Sequence, residues 1–341
     1  MPKTVVLVTG ANGEIGRSLL QTLARDGGYD PITLDLTPLP DAWRPLVTAS
    51  YAGNIMDRYL LDQLAAHHEV DMVFHLAALL STRGERDPEL AHQVNVEGTL
   101  NVLRMAQNQS SRLGRPVRFL FPSSIAVYGL PSLEEKRRAG RLREEQWNVP
   151  ITMYGCNKLY CEHLGRYFTF HARQLGALSS IARLDFRALR FPGLISAETV
   201  PTGGTSDFGP EMIHAAARGE PYRCFVEPEA RIPFMAMPDA IRALMGLARA
   251  ERDRLTSCVY NISSFSVSAE QIAERVRRAF PDARIDYEPD PVRAKIVASW
   301  PEDLDDTLAR RDWGWQPAFE WEKAFDEYLV PSIRARYAKQ P

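Results

Sequence analysis

The segment "TVVLVTGANGEIGRSLL" (residues 4–20) constrains the fold of this chain more than any other. Residues 4–10 form a short β-branched run that ends at a glycine, the pattern of a strand buried on both faces. From Ile15 the apolar residues Ile15, Leu19, Leu20 and Leu23 recur at helical spacing, and Gly27-Gly28 closes that run. Strand and helix are joined by a turn in which Gly10, Gly13 and Gly16 stand three apart. A turn without Cβ atoms folds tightly and lets a pyrophosphate approach the free N–H groups of the helix start. This GxxGxxG differs by one residue from the GxGxxG dinucleotide fingerprint. With a strand before it and a helix after it, the turn reads as a cofactor site rather than a structural bend.

The same alternation continues. Strand patterns at 31–36, 70–78 and 116–124 are separated by helical ones at 56–68 and 88–107, and "TMYGCNKLYCEH" (152–163) opens another helix. Strands and helices in alternation predict an α/β fold, a doubly wound parallel Rossmann sheet. Ligands of such sheets bind beyond the carboxyl ends of the strands. Three segments fall there: 10–16, "HLAALLS" (75–81) and "FPSSIAVYG" (121–129). After residue 184 the pattern loosens into shorter elements around a Gly/Pro/Thr loop. The expected division is therefore a Rossmann domain over 1–183 and a smaller C-terminal α/β substrate lobe over 184–341, with the chain crossing back to the sheet. The charged stretch 134–146 mixes both signs and reads as a solvated surface excursion.

Composition narrows the function classes. Across 341 residues the hydrophobic share is 45% and the net charge −2, so nothing attracts the chain to nucleic acid or to an anionic membrane. No run approaches the ~18 apolar residues of a membrane-spanning helix. Four cysteines without CxxC pairing suggest a reducing compartment, and the N-terminus enters its first strand at once. Both point to the cytoplasm. The seven histidines show neither HExxH nor a Cys/His pair at ligand spacing, so no metal is expected.

Asp35 ends the second strand, where a carboxylate can accept hydrogen bonds from ribose hydroxyls and would repel a 2′-phosphate. This favours NAD over NADP. Within "TMYGCNKLYCEH", Tyr154 and Lys158 are four apart and share one helix face. Cys156 and Cys161 lie about 140° apart round the helix, a poor chelating pair. A phenol with an ordinary pKa near 10 is a weak base at neutral pH, and a lysine cation one turn away favours its phenolate. Ser124, at the end of a strand, can orient the same substrate oxygen.

These residues bring the chain close to a known family. It resembles the extended short-chain dehydrogenase/reductases, through "TGANGEIG", "HLAA", "NVEGT", "PSSIAVYG" and "YGCNK". The resemblance implies a catalytic set of Ser124, Tyr154 and Lys158 and an NAD site in the N-terminal half. It implies cofactor contacts from Gly10, Asn12, Gly13, Glu14, Ile15 and Gly16, from Asp35, from Asn54 and Ile55, and from Leu76, Ala77 and Ala78, with Tyr154 and Lys158 completing the site. Asn54 stands where the family has an acidic residue near the adenine. Asn95 of "NVEGT" is read either as a helix-packing residue or as a support of the site.

A narrower resemblance covers nearly the whole chain. "LRFPGLISAETVPTGGTSDF", "RIPFMAMPDAIRA" and "ASWPEDLDDTLARRDWGWQP" look like the short-chain-type L-threonine 3-dehydrogenases. By that likeness Ser81, Thr205 and Ser206 line an amino-acid pocket together with Ser124 and Tyr154, and the chain is a homodimer through helices 88–107 and 153–175. Thr202 replaces a glycine and Phe208 a tyrosine of the family pattern, and residues 171–183 form an extension. The alternatives are a sugar-nucleotide epimerase or dehydratase, or a dinucleotide-binding sensor without chemistry.

Overall fold

The computed structural model describes residues 2–172, 184–201 and 203–338. The 171–183 extension, from residue 173 on, and Thr202 lie outside them. The first half runs β1 (Thr4–Thr9), α1 (Glu14–Asp26), β2 (Tyr29–Asp35), β3 (Ala49–Ala52), α2 (Arg58–His67), β4 (Met72–His75), α3 (Ser81–Arg86) and α4 (Pro88–His92). A single π turn over 93–98 joins α4 to α5 (Thr99–Leu113), so the expected 88–107 helix is one rod with a bulge in it. Then follow β5 (Arg118–Ser124), α6 (Leu133–Ala139), β6 (Arg141–Leu142) and α7 (Met153–Phe170).

The second half begins with β7 (Asp185–Phe191) and β8 (Gly193–Ile195), then α8 (Phe208–Ala217), β9 (Tyr222–Cys224), β10 (Arg231–Ala236) and α9 (Met237–Arg249). It continues through β11 (Val259–Asn261), β12 (Phe265–Ser268), α10 (Ala269–Ala279), β13 (Ile285–Tyr287) and β14 (Asp303–Leu304).

Seven strands form one sheet in the order β11-β7-β5-β4-β1-β2-β3, parallel throughout. Its order reverses between β1 and β4, and a crevice forms at such a switch point. Side chains alternate across the sheet. Val6, Val8 and Leu120 pack on one face with Leu19, Leu20 and Leu23 of α1 and Leu244 and Leu247 of α9. Leu7, Val73 and Phe119 pack on the other with Leu61 of α2, Val102 and Met105 of α5 and Cys161 of α7. Each fully buried Leu or Phe contributes about 1.5–3 kcal/mol, and α1 stays helical for that reason. Gly27 ends it at φ +69, with its N–H on the Leu23 carbonyl.

A third core, around Phe208, Phe234, Ile272, Trp300 and Phe325, belongs to the smaller layer built on the sheet β12-β10-β8. Two strands after residue 184, β7 and β11, lie in the central sheet. The stretch 134–146 exposes Glu134, Arg137, Arg138, Arg141, Arg143 and Glu145, as expected of a solvated excursion, but not all of its charges. Its strand β6 pairs with β14, Lys136 is buried with its Nζ on the Val297 carbonyl, and Glu144 is buried accepting from the Asn261 N–H. Both charges are held by backbone partners far along the chain, which mixed-sign composition cannot register.

Candidate active site

The glycine turn closes against the loop that follows β4. Gly10 has φ +69, and a Cβ there would sit 2.6 Å from the Ala77 nitrogen; one on Gly16 would sit 2.5 Å from the Ala11 oxygen. Only glycine fits either place. Gly13 is the residue before α1, and no side chain caps the helix. The first N–H groups of α1, at Glu14, Ile15 and Gly16, are thus left for an anion. Asp35 holds the turn from beneath: one carboxylate oxygen accepts from the Asn12 N–H at 2.9 Å, the other from the Thr37 N–H at 3.3 Å. The Asn12 side chain reaches Thr37 and the Pro38 carbonyl. Asn54 is exposed at the end of β3 and turns its oxygen to the Met56 N–H, while Ile55 is buried. Uncapped helix, glycine cradle and ribose-height carboxylate fit a dinucleotide.

The loop 76–80 is pinned from below. Asn95, on the π turn, accepts from the Leu79 N–H at 2.8 Å and donates to the Leu79 carbonyl at 3.0 Å. Its own carbonyl accepts from the Thr99 hydroxyl and the Cys161 thiol. Asn95 therefore packs and supports at once: it fixes the frame over which Leu76, Ala77 and Ala78 run. His75 beneath them bridges Thr9 and Thr99, and burial drives its pKa down to about 3, so it is neutral.

Ser124, Tyr154 and Lys158 come together from β5 and α7. The Ser124 oxygen accepts from the Ala126 N–H at 3.1 Å, which leaves its proton free to donate. The Tyr154 hydroxyl lies within hydrogen-bonding reach of Ser124, deep in the protein although the residue as a whole is half-buried. Thr152 caps α7 on the Gly155 N–H, fixing where Tyr154 enters the helix. Lys158 is buried, its Nζ 2.6 Å from the Pro122 carbonyl and 5.5 Å from the centroid of the Tyr154 ring.

The electrostatics differ from the expectation of a lysine-lowered phenol. Burial pushes the Tyr154 phenol up to about 12, against which only the Ser124 hydrogen bond pulls. Burial also pushes Lys158 down to about 8, with Cys161 and Glu162 pulling it back. Loss of hydration outweighs a cation at this distance, because both charged forms are disfavoured together.

Behind the site lies a network that motif reading missed. Glu162, one turn after Lys158, takes two hydrogen bonds from Arg190 of β7, at 2.9 and 2.6 Å, and one from Ser123 at 2.5 Å. Arg190 also donates to the Glu144 carbonyl and lies over the Tyr128 ring. The network ties α7 to β5, which carries Ser124, and to its neighbour β7. Glu162 stands four residues after Lys158, a one-face spacing that was available in the sequence; its partner at 190 had no local signal.

The residues expected to line a substrate pocket also meet in part. The hydroxyls of Ser81 and Thr205 are 3.0 Å apart although the residues are 124 positions apart, and Thr82 donates to the Gly203 carbonyl. On the same short helix as Ser81, Glu85 accepts from the Met153 N–H at 2.7 Å, next to Tyr154. That bond ties the helix carrying Ser81 to the start of α7. Ser206 is half-buried beside Gly193. Phe208 is fully buried against Phe225 and Phe234, so this position offers packing and no hydroxyl.

Among the described residues no group of His, Cys, Asp and Glu could hold a metal, and no helix is long and apolar enough to cross a membrane. All four cysteines are free; Cys156 is exposed and Cys161, Cys224 and Cys258 are buried. A cavity of about 730 Å³, bordered by Lys3, Asp71, Arg115, Arg118, Asp185 and Arg252, opens at the amino ends of the strands, away from the chemistry.

Comparison with known proteins agrees with this geometry. Residues 6–263 match the NAD dependent epimerase/dehydratase family. A mitochondrial L-threonine 3-dehydrogenase of Bos taurus is 33% identical over 315 residues, covering 92% of this chain and 79% of the relative. The holo form of a GalE-like L-threonine dehydrogenase from Cupriavidus necator is 36% identical, with a TM-score of 0.82 over 98% of this chain and 99% of its own. A monomeric L-threonine 3-dehydrogenase from a metagenome, in its apo form, is 34% identical, with a TM-score of 0.84 over 97% and 99%.

Proposed function

This chain belongs to the NAD-dependent epimerase/dehydratase family, and from that premise we propose that it oxidises the secondary alcohol of L-threonine to 2-amino-3-ketobutyrate with NAD as acceptor. The observation that carries the substrate is the Ser81–Thr205 hydroxyl pair at 3.0 Å, whose Ser81 stands on a helix bonded through Glu85 to the start of α7. Two neutral hydroxyls suit the charged head of a small amino acid. The whole-length likeness to L-threonine 3-dehydrogenases supports the same reading.

A bound nicotinamide supplies the hydride acceptor. The protein's own groups handle the proton and the geometry. Ser124, with its lone pair committed to the Ala126 N–H, donates to the alcohol oxygen and orients it. Tyr154, in its phenolate form, takes the hydroxyl proton at Oη, while the carbinol C–H would give its hydride to the bound nicotinamide and leave a ketone. Lys158, held on the Pro122 carbonyl, keeps a positive charge beneath the tyrosine and within reach of a ribose. Buried surroundings exclude water from this exchange. Asp35 at the end of β2 supports NAD over NADP, since a 2′-phosphate would meet its carboxylate.

The test is NADH formation with L-threonine against a panel of 3-hydroxy acids and sugar nucleotides, repeated with NADP. Turnover is expected with threonine and NAD, with kcat/KM for NADP at least about tenfold lower. No turnover at millimolar threonine, together with activity on a sugar nucleotide, rejects the substrate.

A further inference from the structure

We propose that Glu14, the first residue of α1, takes up a proton when the dinucleotide binds, so that cofactor affinity falls as pH rises. The inference rests on the dinucleotide reading of the glycine turn and adds to it a carboxyl group whose charge state the cofactor must change.

The position argues for it. Glu14 follows Gly13 directly, at the uncapped helix start whose N–H groups fit a pyrophosphate. Its own N–H is one of those groups, so the carboxyl cannot be far from the anion. Across the crevice the Thr199 hydroxyl donates to Glu14 Oε1, and Ser196 also hydrogen-bonds this carboxyl. Both belong to the loop that runs on to Thr205. The carboxyl thus bridges the cofactor turn and the substrate loop.

The charged groups that bear most on it, Glu198 and Asp207, have the wrong sign to keep it ionised. Glu198 and Asp207 approach from the loop, and Tyr328 approaches from the C-terminal helical stretch. Arg336 spends its guanidinium on the Glu198 carbonyl, and among the described residues no lysine or arginine forms an ion pair with Glu14. Although the residue as a whole is exposed, its carboxyl is crowded by the loop. Loss of water pushes its pKa above the usual carboxylate range; the Thr199 and Ser196 hydrogen bonds pull it down, and Asp207 and Glu198 push it further up. A pyrophosphate at the same helix start adds like charge and pushes in the same direction.

The sign follows. The protonated form binds the dinucleotide better, so the dissociation constant is constant at low pH. It rises once the pH passes the pKa of Glu14 in the free protein, and levels off above its pKa in the complex. The readout is NADH binding by fluorescence titration from pH 5.5 to 7.0, below the value of about 8 at which Lys158, which also faces the cofactor, loses its charge, and with no substrate present. The wild type is expected to weaken by about tenfold, the factor given by one unit of pKa coupling. Glu14→Gln keeps an acceptor for Thr199 and removes the charge; its affinity is expected to be flat and to match the tight limit of the wild type. Thr199→Val removes a hydrogen bond to the ionised carboxyl, so the weakening is expected to start at higher pH. NADH binding to the wild type with flat affinity, or a slope retained in Glu14→Gln, overturns the proposal alone. Absence of any NADH binding removes the cofactor reading with it.

Discussion

Tyr154 illustrates how a proposed catalytic group can be legible in position and not in energy. Its spacing to Lys158 puts both on one face of α7, and the fold brings Ser124 to the same place. Yet the phenol is pushed up to about 12 and the lysine down to about 8, because burial acts on each before they act on each other. A base whose pKa lies above neutral is mostly protonated at pH 7, and its reactive fraction grows as pH rises. We expect kcat/KM for threonine oxidation to climb up to about pH 8 and then to level off, because above the Lys158 value the loss of its positive charge offsets the growing phenolate fraction; the profile reports the free enzyme. Tyr154→Phe, which removes only the oxygen, is expected to cut kcat by about 10²–10⁴-fold while NADH still binds. A variant with kcat within tenfold of the wild type would show that another group moves the proton.

At the scale of elements, the strands and helices that carry motifs were readable because their signals are local. Glycines at 10, 13 and 16 declare a turn, and apolar spacing declares the elements beside it. What was not readable is held by partners from distant sequence. Pro122 is an example, since a proline within a strand ordinarily argues for an edge. Here β4 pairs with β5 only as far as Leu120, so Pro122 lies beyond that ladder and its carbonyl is taken by Lys158. The Glu162–Arg190 pair is another: it links α7 to β7, both residues about 3% exposed. Removing one partner leaves an uncompensated buried charge. Arg190→Met is expected to lower stability by about 3–5 kcal/mol, measured by urea unfolding. The double change with Glu162→Gln is expected to recover part of that loss. Equal losses in the single and double variants would show that the charges are not coupled.

On the scale of the whole molecule, the sequence suggested two successive parts, and the strand order interleaves them. The N-terminal elements supply β1 to β5, the later chain returns with β7, and β11 comes back once more to cover the edge of β7. The sequence signalled the looser second half and an expected crossing back to the sheet, but not where the last crossing falls, since only three residues, Val259–Asn261, make the edge strand. A fragment ending at residue 200 is expected to lack cooperative thermal unfolding, because the hydrogen bonds from β7 to β11 and the packing of α9 on the sheet are lost with it. Circular dichroism checks this, and a sharp transition in the fragment would show an independent N-terminal domain. The placement of β11 also bears on the chain while it is being made. Between the end of β7 and the start of β11 about 70 residues must emerge from the ribosome, which at ordinary elongation rates takes roughly 4–14 s. Throughout that interval the outer edge of β7 has no partner strand and is a template for another nascent copy. That edge is therefore closed only by the arrival of three late residues, well after Ser124, Tyr154 and Lys158 have left the ribosome.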